Sequence, residues 1–185
     1  MTLSLTRISK AVSHALRHEP WMYGLELDEE GWVRLADLAS ALRQLGDEWS
    51  ELDESTVVRA VESSPKRRHT VVEGRIRSSY GHSVPEKITF ASAEPPPRLF
   101  HGTSPAAVVL IRSAGALRAM GRQYVHLTTE RELAVQVGKR KASVPEILQV
   151  DALAAHNAGV AFYPRSEVVW LAEKVPLSFI DTLGE

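Results

Sequence analysis

The sequence predicts an α+β fold in two lobes, and three observations predict it. The N-terminal half reads as amphipathic helices followed by a two-stranded ribbon, which is the order of a winged helix. Three consecutive prolines, Pro95 to Pro97, then interrupt the chain, because they lack backbone donors and favour an extended rod. Beyond them, short apolar runs of strand length alternate with helical patterns. The expected boundaries are 1–90 for a winged-helix lobe, 91–97 for a Pro-rich linker and 98–185 for a second lobe.

In order along the chain, Leu5, Ile8, Val12 and Leu16 fall on one face of a helix that Pro20 must end, so Arg17 and His18 occupy its last turn. Leu25 to Leu27 and Trp32-Val33, joined by Glu29-Glu30-Gly31, predict a small hairpin. Leu35, Leu38, Leu42 and Leu45 form a second helical stripe stopped by Gly46. Val57, Val58 and Val61, after an Asp53 to Ser55 cap, form a third. His69 to Val72 and Arg75 to Ser78 are strands about a Glu73-Gly74 turn. In the second lobe, strands are expected at Arg98 to Phe100, Tyr124 to Leu127, Ile147 to Val150 and Val168 to Leu171. Helices are expected at Ala106 to Ser113 and Glu130 to Val137, and a last apolar run closes the chain at Leu177 to Ile180.

Composition removes several classes of function. A hydrophobic content of 44% with 24% charged residues is globular, and a formal net charge of −1 means that nucleic acid must be met by a local basic patch. Without cysteine there is no disulfide, thiolate metal site or thiol nucleophile, which suits a cytoplasmic protein. No membrane segment is expected, and nothing in the pattern demands more than a monomer. The chain has no Rossmann GxG, no phosphate-binding GxxxxGK and no HExxH, and no clustered carboxylates that would hold magnesium, so no metal is expected.

What remains is a set of cations at the ends of elements. Arg17-His18 ends the first helix, Lys66-Arg67-Arg68-His69 opens the ribbon, Arg75 and Arg77 alternate along its return strand, and Gly121-Arg122 precedes a strand. Arginine's planar fork suits a phosphate dianion. Each member also has a structural explanation: a helix C-terminus favours cations by its dipole, and a basic turn is often only solvated.

Taken together, the segments LRHEP with GLELDEEGW (residues 16–20 and 24–32), KRR (66–68), RIRSSYGHS (75–83), LFHGT (99–103), GRQYVHLT (121–128) and VVWLA (168–172) occur in an order that resembles the RNA 2′-phosphotransferase family. The resemblance spans nearly the whole chain. It implies an ADP-ribosyltransferase-like second lobe and an NAD-dependent enzyme that removes an internal 2′-phosphate from RNA. In that family the 2′-phosphate attacks ribose C1″ of NAD and expels nicotinamide, leaving an RNA-phospho-ADP-ribose intermediate. Attack by the 2″-hydroxyl then gives 2′-hydroxyl RNA and ADP-ribose 1″,2″-cyclic phosphate, so NAD is consumed.

The family's essential residues map onto Arg17, His18, Arg68 and Arg122, with Lys66 as a basic helper. The resemblance further implies substrate-phosphate or RNA contacts from Arg67, Arg75, Arg77, His82 and Ser83, with Gly81 beside them. It implies NAD contacts from His101, Gly102, Thr103, His126, Leu127 and Val169. Three positions depart from the family: Tyr80 replaces a usual Gln, His69 a usual aromatic, and Glu167-Val168 an Asn-Gly pair. Strand alternation would set Glu167 on the same face as Val169. Two other functions fit the same residues less fully: ADP-ribosylation of terminal phosphates on nucleic acid, and a non-catalytic winged-helix NAD sensor.

Overall fold

A computed structural model describes residues 3–65 and 67–183 and confirms a mixture of helices and antiparallel sheets of the α+β kind. The chain divides into two compact units, one ending at Thr89 and one beginning at Phe90. Among the described residues no helix is long and apolar enough to cross a membrane.

In the first unit, α1 (Leu5–Arg17) begins at Ser4, whose side chain accepts a hydrogen bond from the Arg7 N–H. A 3-10 turn, Pro20–Tyr23, follows it closely. The strand β1 (Trp32–Arg34) runs straight into α2 (Leu35–Arg43), and α3 (Glu54–Glu62) starts at Asp53, whose carboxylate caps the Thr56 N–H. Strands β2 (His69–Val72) and β3 (Arg75–Ser78) form a hairpin, and the sheet order is β1-β3-β2, antiparallel throughout. Glu73 and Gly74 both have positive φ, as a two-residue hairpin turn matching the strand twist requires. The Gly74 carbonyl also accepts from Leu35 N–H, which ties this turn to the start of α2. Ile8, Val12 and Leu16 meet Leu38, Leu42, Val57 and Ile76 in one dry core.

The expected hairpin at Leu25 to Val33 does not form. Asp28 turns the chain instead, its side chain accepting from the Glu30 and Trp32 N–H groups, and β1 finds its partner in β3, pairing Trp32 with Arg77. Helix α2 ends at Arg43, so Leu45 lies beyond it and is exposed.

The second unit is built on a six-stranded antiparallel sheet. Its strands are β4 (Arg98–Thr103), β6 (Val125–Thr128), β7 (Glu146–Asp151), β8 (Phe162–Pro164), β9 (Val169–Ala172) and β11 (Ile180–Leu183), in the order β11-β7-β4-β6-β9-β8. A separate pair joins β5 (Ala116–Arg118) to β10 (Lys174–Pro176). Helices α4 (Pro105–Ala114), α5 (Arg131–Gly138) and α6 (Ala152–Asn157) complete the unit around a core that includes Leu99, Val125, Leu148, Val150 and Phe162. The proline-rich segment is held in this unit: Ala93 N–H donates to the Phe162 carbonyl, and the Pro97 carbonyl accepts from Ala152 and Leu153.

Candidate active site

In the first unit, Arg17 and His18 stand at the C-terminal end of α1. Apolar periodicity buries Ile8, Val12, Ala15 and Leu16, and Arg17 follows them inward to 7% exposure. A guanidinium so far from water needs partners, and its Nε–H donates to the Gly81 carbonyl at 3.3 Å. Ser83 N–H donates back to the Arg17 carbonyl at 2.8 Å, and Ser83 Oγ lies 2.7 Å from His18 Nδ1. The segment Gly81 to Ser83 thereby clamps the helix end that carries Arg17 and His18. His82 is buried between them in sequence, with its Nε2 close to Gly31, where a Cβ would stand 3.3 Å away.

Behind this clamp, the His14 ring bonds the Tyr23 hydroxyl at 3.0 Å through Nδ1 and faces Glu19 at 3.2 Å through Nε2. Burial, with a smaller contribution from Glu19, raises the Tyr23 phenol above its ordinary pKa. These bonds fix the turn that follows His18.

The start of β2 enters the same neighbourhood. Arg68 is anchored through its backbone, its carbonyl accepting from Ser79 N–H at 2.7 Å and from Ser78 Oγ at 3.3 Å. The His69 Nε2 lies 3.4 Å from Ser13 Oγ on α1, and its Nδ1 is buried with no hydrogen-bond partner among the described residues. Burial, then the charges of Arg17 and Arg68, push His69 down to about 4, so it is neutral at physiological pH. Although His69 ends the basic run Lys66 to His69, it does not act as one of its cations in the fold. Its position between two arginine charges and α1 is visible only in the fold.

The remaining basic residues of this unit divide clearly. Arg75 pairs with Asp28 and Arg77 with Glu30 at 3.3 Å, and both guanidiniums lie over the Trp32 ring, at 5.4 and 4.4 Å. Arg68 has no ion-pair partner among the described residues, and Arg67 is exposed. Lys66 lies outside the described residues.

In the second unit the candidate residues lie on neighbouring strands. β4 and β6 share one paired position, Phe100 with Thr128. Next to it a side chain bridges the strands: His101 Nδ1–H donates to the His126 carbonyl at 2.8 Å. This fixes the tautomer and leaves Nε2 as an acceptor. Burial holds His101 down to about 4 against the opposing effect of that bond, with a further lowering by Lys141. The Lys141 ammonium is itself lowered by burial, and nothing in the sequence alone joined it to His101.

Thr103 is buried, and Leu127 points into the core. Val169, at the start of β9, pairs with Thr128, and His126 pairs with Leu171. Arg122 is exposed in the loop before β6.

Gly102 answers to a different constraint from ligand approach. A Cβ there would lie 1.8 Å from the Ala134 carbonyl oxygen, so α5 can rest on β4 only because residue 102 has no side chain. Gly138, at the other end of the same contact, would meet Pro145 at 2.6 Å. Glu167 does not share a strand face with Val169. It sits in the exposed turn between β8 and β9, where Ser166 Oγ accepts from the Val168 and Val169 N–H groups.

Comparison with known proteins places the chain as a whole. The family model described as RNA 2′-phosphotransferase, Tpt1/KptA family, matches residues 4–174. A probable RNA 2′-phosphotransferase of Acetivibrio thermocellus is 43% identical over 178 residues, covering 96% of this chain and 97% of the relative. One from Bacillus thuringiensis subsp. konkukian is 47% identical over 175 residues, covering 95% and 94%. One from Aeropyrum pernix is 37% identical over 170 residues, covering 92% of this chain and 76% of its own.

Proposed function

The chain belongs to the RNA 2′-phosphotransferase family, and from that premise we propose that it transfers an internal 2′-phosphate of RNA to NAD. The products are 2′-hydroxyl RNA, nicotinamide and ADP-ribose 1″,2″-cyclic phosphate. NAD supplies an electrophilic ribose carbon with nicotinamide as leaving group, and it is consumed. No metal takes part in this scheme, and the setting is the cytoplasm.

The observation that carries the proposal is the clamped end of α1. Arg17, buried and held by Gly81, and His18, held by Ser83, are fixed in place before any substrate arrives. Preorganised donors of this kind stabilise charge on a reacting phosphate without reorganising in the transition state. Arg17, Arg68 and Arg122 bind and orient the phosphate in this reading, with Lys66 assisting. His18 protonates the departing RNA 2′-oxygen, a task that suits an imidazole near neutral pH. His82 and Ser83 act through the clamp. Arg75 and Arg77 would have to leave Asp28 and Glu30 to bind RNA, so of the ribbon's cations Arg67 and Arg68 are the more available.

The residues of the second unit suit a nucleotide. A neutral His101 whose Nε2 is an acceptor matches a ribose hydroxyl donor, and Thr103, His126 and Val169 stand on the same and adjoining strands. Gly102 and Leu127 would serve through their backbone atoms. The order α1-β1-α2-α3-β2-β3 with sheet order β1-β3-β2 supports a winged-helix reading of the first unit. An ADP-ribosyltransferase-like reading of the second rests on the family.

The test is incubation with NAD and an oligoribonucleotide carrying one internal 2′-phosphate, with every product identified by mass. RNA that has lost its 2′-phosphate, with equal amounts of nicotinamide and ADP-ribose 1″,2″-cyclic phosphate, is the expected result. Stable ADP-ribosylated RNA would mark a transferase to phosphate ends, and unchanged NAD would leave a binding module.

A further inference from the structure

Among the described residues, Trp21 is the one aromatic side chain among the large exposed apolar groups, at 55% exposure, and its neighbour Met22 reaches 68%. They do not sit on a loose loop. The 3-10 turn Pro20–Tyr23 is closed by Met22 N–H to the Glu19 carbonyl at 3.1 Å, Gly24 N–H to Trp21 at 3.1 Å and Leu25 N–H to Pro20 at 3.0 Å. Pro20 is buried, and Tyr23 turns inward to His14. With both ends of the turn anchored, Trp21 and Met22 are directed outward from a rigid support.

We infer that Trp21 is a base-stacking platform for the RNA strand, holding the base of a nucleotide next to the one whose phosphate meets Arg17 and His18. The inference rests on the reading of RNA as substrate. Trp21 lies three positions beyond His18, a span of at most about 11 Å, which is within reach of an adjacent nucleotide. An RNA chain continues on both sides of an internal phosphate, and arginine contacts to that phosphate leave its neighbouring bases without a support. An indole face stacks on any base without reading its sequence, so it can serve an RNA chain of any sequence. The surroundings also favour nucleic acid over a protein partner. Arg17, His18 and Arg68 gather at this end of α1, whereas the centre of a protein interface is depleted in charge.

The test measures binding of a fluorescently labelled single-stranded oligoribonucleotide with one internal 2′-phosphate to the wild-type chain, Trp21→Ala and Trp21→Phe, without NAD. Matched oligonucleotides lack the base on the 5′ or the 3′ side of the phosphate, and thermal melting checks that all proteins fold alike. Roughly tenfold weaker binding by Trp21→Ala, with near wild-type binding by Trp21→Phe, is expected for one lost stack. Removing the correct base should weaken the wild type by the same factor and leave Trp21→Ala unchanged. Equal affinities of wild type and Trp21→Ala would overturn the inference, and so would an abasic effect of the same size in both. Self-association lost in Trp21→Ala with RNA affinity intact would assign the ring to a second copy and overturn it too. Nicotinamide release, assayed alongside, separates the two readings: Trp21-dependent RNA binding without release sinks the transferase alone, and release with Trp21-independent binding sinks the platform alone.

Discussion

Nδ1 of His18 lies 2.7 Å from Ser83 Oγ, and the backbone of the same serine donates to the Arg17 carbonyl one residue earlier. One residue, distant in sequence, therefore holds both the orientation of the imidazole and the end of the helix that presents it. Ser83→Ala removes the side-chain bond and spares the backbone one. Phosphate release from RNA should slow about five- to tenfold, in line with one hydrogen bond of roughly 1 kcal/mol, with the melting temperature nearly unchanged. A rate loss together with a collapse in melting temperature would show that Ser83 serves the fold rather than His18.

His18→Ala leaves the phosphate-binding arginines in place and removes the proposed acid. Nicotinamide release in a single turnover should be the less affected step. Loss of phosphate from RNA should fall by about 10²- to 10⁴-fold, and RNA joined to ADP-ribose should accumulate. Equal slowing of both steps would place His18 in phosphate binding instead.

The contrast between Arg68 and Arg75 gives a paired test. Arg75 is occupied by Asp28 and Trp32, whereas Arg68 is held by its backbone and has no carboxylate partner among the described residues. Arg68→Ala should lower activity roughly 10²-fold or more, as loss of a charge-stabilising donor does, with stability unchanged. Arg75→Ala should stay within a few-fold in activity. Steady-state rates with the 2′-phosphorylated oligonucleotide decide this, and the reverse ranking would move the phosphate site along the ribbon.

Gly102→Ala separates a packing role from a ligand role. Its new Cβ would meet the Ala134 carbonyl oxygen, a backbone atom that cannot swing aside, so α5 must lift from β4. A loss of roughly 3 kcal/mol or more is expected in urea denaturation. If stability is unchanged and only NAD affinity falls, the ligand role is the dominant one.

Local signals were legible in the sequence. The stripe Leu5, Ile8, Val12 and Leu16, with Pro20 beyond it, placed Arg17 and His18 at a helix end because helix periodicity and proline act over a few residues. Pairing between distant segments was not legible. Trp32 and Val33 have strand character, yet Asp28 satisfies the local turn, so their partner is β3, far along the chain. Strands β5, β8 and β10 are three residues long, too short for any period to show. The site followed the same rule. Motif order supplied its cations, but the neighbours that tune them, Ser13 and His69 at α1 and Lys141 at His101, meet only through tertiary packing.

His69 and His101 make stability depend on acid pH. Each is held near 4 in the fold against an ordinary value of 6.5, chiefly by burial. Between these values the unfolded chain takes up protons that the native chain refuses, so stability is full above about pH 6.5 and falls as the pH drops towards 4. A shift of that size corresponds to roughly 3 kcal/mol for each histidine. Urea midpoints measured from pH 8 to pH 4 should stay level in the upper range and then decline. His69→Gln, which cannot take a proton, should flatten the part of the decline that belongs to the first unit. A wild-type profile already level from pH 6.5 to 4 would mean that both rings titrate normally, and that neither is buried as the structure has it.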